Sequence, residues 1–145
     1  MGSPGELGRR QLRLFFFDSG VLNGLLGNFA VSFDRIGSLF EHLVVSQLWA
    51  AAAAHDLETQ VYTFRTRGGL EVDFVVRVRD QLWAVEAKAG DQVPQRAAAT
   101  LLAVEGYLPK NAQLVVVVPA GPPRRLSSGV DILSLPDLLT RMMER

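Results

Sequence analysis

Apolar positions recur along this chain with two periods, and the switches between them mark out the elements. From about Arg35 to His55, GSLFEHLVVSQLWAAAAAH is apolar on most sides at helical spacing, which predicts a helix buried against a sheet. VYTFRT, EVDFVVRV and QLWAVEAKA follow as three β-branched and aromatic segments with short turns between them, which predicts a meander. QRAAATLLAVEGYL then predicts a second helix, entered through Pro94 and leaving near Gly106 and Pro109. AQLVVVVPA is the near-continuous apolar run of a strand covered on both faces, and GPPRR after it reads as a loop. VDILSL predicts a last strand and PDLLTRMMER a terminal helix starting at Pro136. Ahead of all this, LRLFFFDSGVLNGLLG reads as a short buried strand running into a helical turn that ends near Gly27, and the first ten residues read as a flexible lead-in. Trp49, Trp83 and Phe15 to Phe17 are expected in the core. The order helix, three strands, helix, strand, strand, helix predicts an α/β fold, a mixed β-sheet flanked by helices.

Strand alternation turns this outline into candidate chemistry. In VEAK, Glu86 and Lys88 point to one face. In the preceding strand Glu71, Asp73, Val75 and Arg77 share a face, and Val72, Phe74, Val76 and Val78 form the opposite, core face. If Arg79 and Asp80 make a two-residue turn, Asp73 lies across from Glu86. If Asp80 and Gln81 make it, Asp73 lies across from Lys88. Both registers bring the three onto one face, where directly opposed Cβ atoms are about 4.5 to 5.5 Å apart. Two carboxylates that close repel unless a cation lies between them.

A hard cation such as Mg²⁺ or Mn²⁺ suits such a pair, because it takes oxygen ligands and needs only one or two protein carboxylates beside water and phosphate. Asp73 and Glu86 are the expected ligands, and Lys88 the group that holds an attacked phosphate or orients a water. Glu41 shares an apolar helix face with Val44, Val45 and Leu48, so it needs a partner there and is the expected outer member of the metal site. The rival readings are plain. The strand charges can pair on a solvated face, and Ser38 with Glu41 can form a capping box, although Asp34 would start the helix earlier.

Composition narrows the choice. The chain of 145 residues has no cysteine, which excludes disulfides, thiolate zinc and cysteine nucleophiles. Its length suits one domain, taken here as residues 11–145. Formal net charge is zero, so any contact with DNA must be local. Lys88 and Lys110 are the only lysines in a chain whose other cations are arginines. No GxxxxGK[ST] occurs, so an ATP site of the P-loop type is not expected, and no apolar run is long enough for a bilayer, so a soluble cytoplasmic protein is.

Four ordered blocks, LFFFDSGVLNGLLG, GSLFEHLVVSQL, VYTFRTRGGLEVDFVV and VEAKAG, resemble the C-terminal domain of unknown function that follows the ATPase core in many bacterial and archaeal AAA-type ATPases. That domain is similar to the PD-(D/E)XK, restriction-endonuclease-like nucleases. The resemblance implies that helix Glu, hairpin Asp and E-x-K strand correspond to Glu41, Asp73, Glu86 and Lys88, and that the domain is a Mg²⁺- or Mn²⁺-dependent nuclease acting on DNA. It implies the fold more strongly than the activity. The alternative is a non-catalytic module that contacts DNA, an ATPase core, another protein partner or a second copy of itself. The ATPase part of the family is missing from this sequence, which reads as a fragment of a longer ATPase or a shortened relative.

Overall fold

The computed structural model describes residues 15–16, 18–90 and 92–144. The lead-in and most of the strand expected before Asp18 therefore lie outside the described residues. Ten elements follow in order: α1 (Ser19–Leu26), α2 (Ile36–Ala54), β1 (Thr59–Arg65), β2 (Glu71–Val78), β3 (Gln81–Ala87), α3 (Gln95–Glu105), β4 (Gln113–Val118), β5 (Arg124–Arg125), β6 (Asp131–Ser134) and α4 (Leu135–Met143). The expected α/β order is present, with one addition. Arg124 and Arg125, read from sequence as loop, form a two-residue edge strand because β6 offers them a free antiparallel side.

One six-stranded sheet runs in the order β1-β2-β3-β4-β6-β5. The meander β1-β2-β3 is antiparallel, and α3 carries the chain over to β4, which lies parallel to β3. Each face of the sheet has its own core. On one, α2 and α4 bring Val44, Leu48, Leu138 and Met142 against Phe74, Val76, Trp83 and Val85. On the other, α3 brings Ala97, Leu101 and Val104 against Val75, Ala84, Val116 and Ile132. The β2 face that carries Val75 is thus covered by α3, against the rival reading of a solvated face, and Val75 is buried in it.

Local chemistry explains the helix ends only in part. Asp18 accepts from the amides of Gly20 and Val21 and starts α1. Gly27 stops it in the left-handed region at φ 61°, a conformation without penalty for glycine, while the Asn28 amide donates back to the Asn23 carbonyl. Neither expected cap of α2 is used. The helix begins after Arg35 with no side-chain cap, and Ser38 lies inside it. Asp34 is engaged by Ser32 instead, and that hydrogen bond holds its carboxyl below the usual range. Trp83 is buried as expected, but Trp49 is not. It falls on the outward side of α2, where an all-round apolar helix keeps apolar residues facing solvent.

Candidate functional site

The turn between β2 and β3 decides the register. Val78 pairs with Gln81, so Arg79 and Asp80 are the two turn residues, and Arg79 takes φ 53°. The ladder runs back to Phe74 opposite Val85, and one further step sets Asp73 across from Glu86. Of the two registers open to the sequence, this is the one that confronts the carboxylates.

The other neighbour of β2 adds something the alternation did not contain. Tyr62 of β1 pairs with Val75 and Phe64 with Val72, so Asp73 and Phe74 together stand opposite Thr63 alone. This extra residue is a β-bulge, which breaks strict alternation and re-aims a side chain. As a result Val72 joins Val75 on the α3 side rather than Phe74 and Val76 on the α2 side, as expected from sequence. Asp73 sits within the irregularity. Its Oδ2 accepts from the backbone amide of Ala87 at 2.9 Å, a buried bond that ties β2 to the end of β3.

Glu86 and Lys88 occupy that end. The Lys88 amide donates to the Val117 carbonyl of β4 at 2.9 Å, so the residue stays in the parallel ladder although β3 formally stops at Ala87. Its ammonium donates to Glu86 Oε1 at 2.7 Å. The Glu86 side chain is only 12 % exposed, against 31 % for Lys88. Burial pushes the Glu86 carboxyl above its ordinary range, and the Asp73 charge adds to the effect; Lys88 and the Asp73 amide act against them. Glu86 Oε2 is buried with no hydrogen-bond partner. A carboxylate oxygen in that state is short of positive charge.

Glu41 comes from α2, where it is half-buried at the head of the stripe Val44, Val45, Leu48. Alternation along β3 places Glu86 on the face that carries Leu82 and Ala84. Among the described residues, no three His, Asp or Glu side chains gather as a metal-holding group. The structure thus joins Asp73, Glu86 and Lys88 in one neighbourhood, and Glu41 is carried by α2.

Two further polar groups drew little notice in the sequence. His42, beside Glu41, has Nδ1 2.8 Å from the Ser38 carbonyl, which fixes that nitrogen as the donor. Its ring lies among Phe15 and Phe16, with Nε2 buried and lacking a hydrogen-bond partner. Asp131 is a buried acid in a strand read as apolar, and it is paired with Arg141 at 3.0 Å and Arg125 at 3.7 Å. Two cations on one acid explain its burial as structural.

These features define a mixed-sheet α/β domain with a partly buried carboxylate pair and an ammonium where β2, β3 and β4 meet. A family model described as a domain of unknown function (DUF4143) matches residues 36–138, and the chain belongs to that family. No curated protein matches the chain. No helix among the described residues is long and apolar enough to cross a membrane.

Proposed function

We propose that this domain, residues 11–145, is a divalent-cation-dependent phosphodiester hydrolase module of the PD-(D/E)XK type, acting on DNA in association with an AAA-type ATPase core. One observation carries the reading. Glu86 is buried beside a second carboxylate, one oxygen is held by Lys88, and the other has no hydrogen-bond partner. A donor set of two carboxylates fits Mg²⁺ or Mn²⁺, which ordinarily completes its shell with water and phosphate oxygens. The chemistry such a cation supplies is acidification of water and neutralisation of charge developing on a phosphoryl group.

This chain's own residues would divide the remaining work. Asp73 and Glu86 would hold the cation, Asp73 oriented by the Ala87 amide and Glu86 by the strand end. Lys88 would exchange its contact with Glu86 for a phosphate oxygen and hold the scissile group against the carboxylates. Glu41, from α2, would act on water rather than as a direct ligand.

The test is nicking of supercoiled DNA by purified protein with Mg²⁺ or Mn²⁺. Asp73→Asn, Glu86→Gln and Lys88→Met should each lower the rate at least about 100-fold. Equal activity in Asp73→Asn would remove the proposal. A second reading, a non-catalytic module with the same fold, is favoured by the lack of a three-group metal cluster among the described residues and by neutral net charge. It predicts no nicking and no rise in melting temperature on adding Mg²⁺, whereas a bound cation must stabilise the fold by linkage.

A further inference from the structure

Lys88 and Glu86 stand two residues apart along one strand, and their backbones are fixed. Glu86 pairs with Val116 in the parallel ladder, and the Lys88 amide donates to the Val117 carbonyl at 2.9 Å. Any change in their contact must therefore come from a side chain. The Glu86 side chain is 12 % exposed and that of Lys88 31 %, so the flexible stem of the lysine is the one with a route to solvent.

The contact uses a single carboxylate oxygen. The ammonium donates to Glu86 Oε1 at 2.7 Å, and Oε2 is buried with no hydrogen-bond partner. A guanidinium would behave differently, because its planar fork takes both oxygens of a carboxylate at once. Arginine is the common cation of this chain, and Lys88 is one of its two lysines. Lysine at this position is what leaves the second oxygen open to an ion.

An ion there would dislodge the lysine. A divalent cation on the Glu86 carboxylate answers the charge that holds the ammonium and repels the ammonium as a like charge. Lys88 then turns outward with its charge free, as a phosphate oxygen requires. Until then that charge is spent within the strand on Glu86.

We propose that Lys88 is a latch on Glu86 that a divalent cation releases: the ammonium rests on Oε1, leaves when the cation takes the carboxylate, and only then engages phosphate, so the cation binds before the anionic substrate. The latch rests on the cation reading of this site and adds to it an order of binding and a reason for lysine at position 88.

The second lysine supplies an internal control, since Lys110 is exposed in the loop after α3. Acetylation of the full chain with N-acetoxysuccinimide, resolved by peptide mass spectrometry, should label Lys88 more slowly than Lys110 in metal-free buffer. Mn²⁺ should raise the ratio of Lys88 to Lys110 labelling about 3- to 10-fold, as expected for release of a partly exposed charged hydrogen bond. A DNA duplex added together with Mn²⁺ should lower the ratio again. Calorimetric titration then separates two variants whose far-ultraviolet circular dichroism matches wild type. Lys88→Met should bind Mn²⁺ at least as tightly as wild type, whereas Lys88→Arg, which keeps the charge but occupies both oxygens, should bind it at least about 10-fold more weakly. If Mn²⁺ binds wild type and leaves the labelling ratio unchanged, the latch is overturned and the cation site stands. Binding by Lys88→Arg as tight as wild type, weaker binding by Lys88→Met, or a ratio that the duplex does not lower overturns the latch equally. No Mn²⁺ binding by wild type or Lys88→Met overturns the latch and the cation reading together.

Discussion

Replacing Asp73 by asparagine or by alanine separates two things that the carboxylate does at once. As an acceptor it satisfies the buried Ala87 amide at 2.9 Å; as an anion it opposes the charge on Glu86. Asparagine keeps an acceptor oxygen and removes the charge, while alanine removes both. Two like charges about 5 Å apart repel by about 3 kcal/mol at an effective dielectric of about 20. The Lys88 ammonium, 2.7 Å from Glu86 Oε1 and about a third exposed to water, screens part of this, so relief of about 1–2 kcal/mol is expected. Losing the charged acceptor in favour of a neutral one costs about 1 kcal/mol. Asp73→Asn should therefore equal or exceed wild-type stability in metal-free buffer. Asp73→Ala should fall below Asp73→Asn by about 1–3 kcal/mol, the cost of a buried amide left unmet.

Urea denaturation followed by circular dichroism resolves differences of this size, and the pH dependence gives the sign. The Glu86 carboxyl titrates above its ordinary value of 4.5 in the folded protein, from burial first and the Asp73 charge second. Between 4.5 and the raised value the folded state holds a proton that the unfolded chain has released, so the Glu86 contribution to stability falls as pH rises through that window. The advantage of Asp73→Asn should accordingly be full above the window and gone at its acid end, where neutral Glu86 no longer repels. If Asp73→Asn is less stable than wild type by more than about 1 kcal/mol at neutral pH, the carboxylates are not in conflict and the cation-site argument loses its basis. If asparagine and alanine behave alike, the Ala87 bond contributes nothing.

Three other outcomes follow from the same geometry. Glu86→Gln should stabilise the metal-free fold at neutral pH, converge with wild type as pH falls toward 4.5, and abolish any Mg²⁺-induced rise in melting temperature seen with wild type. Lys88→Met, which withdraws the ammonium from a buried carboxylate, should destabilise the metal-free protein by about 1–3 kcal/mol, and Mg²⁺ should recover part of the loss. Leu101→Ala, in the middle of α3 against the sheet, should cost about 2–5 kcal/mol in chemical denaturation through the cavity it leaves.

Elements were legible in the sequence wherever one period held long enough. Nineteen residues of α2 and the unbroken QLVVVV of β4 are examples. The confrontation of Asp73 with Glu86 was legible as one of two registers, because alternation fixes faces but only the turn fixes the partner. The bulge at Asp73 and Phe74 left no local mark. It arises from how β1 pairs, a relation between residues ten apart that no window along β2 contains. Coverage of both faces was hidden for a similar reason, since Val75 and Ala84 become buried only when α3 crosses over. The outward turn of Phe29, Val31 and Phe33 was not legible, because it is set by the hydrogen bonds that Arg35 makes to Asn23, Asn28 and Ala30.

The buried pair is also the point where the fold departs most from local consistency. The other buried acid and hydroxyl are balanced: Asp131 has two arginines, and Ser134 caps α4 through the Asp137 amide. Glu86 has one ammonium, a like charge across the ladder and an oxygen with no hydrogen bond, and the strand that supplies the like charge is bulged at that very residue. Apolar residues at 73 and 86 would pack against a sheet whose two cores are rich in valine, at no electrostatic cost. A sequence that places acids there instead leaves Glu86 Oε2 unmet beside a second carboxylate, and a cation is a class of ligand that would answer both charges. Stability measured with and without Mg²⁺ therefore addresses function before any substrate is known, since the sign of the difference between wild type and Glu86→Gln reverses only if the ion binds.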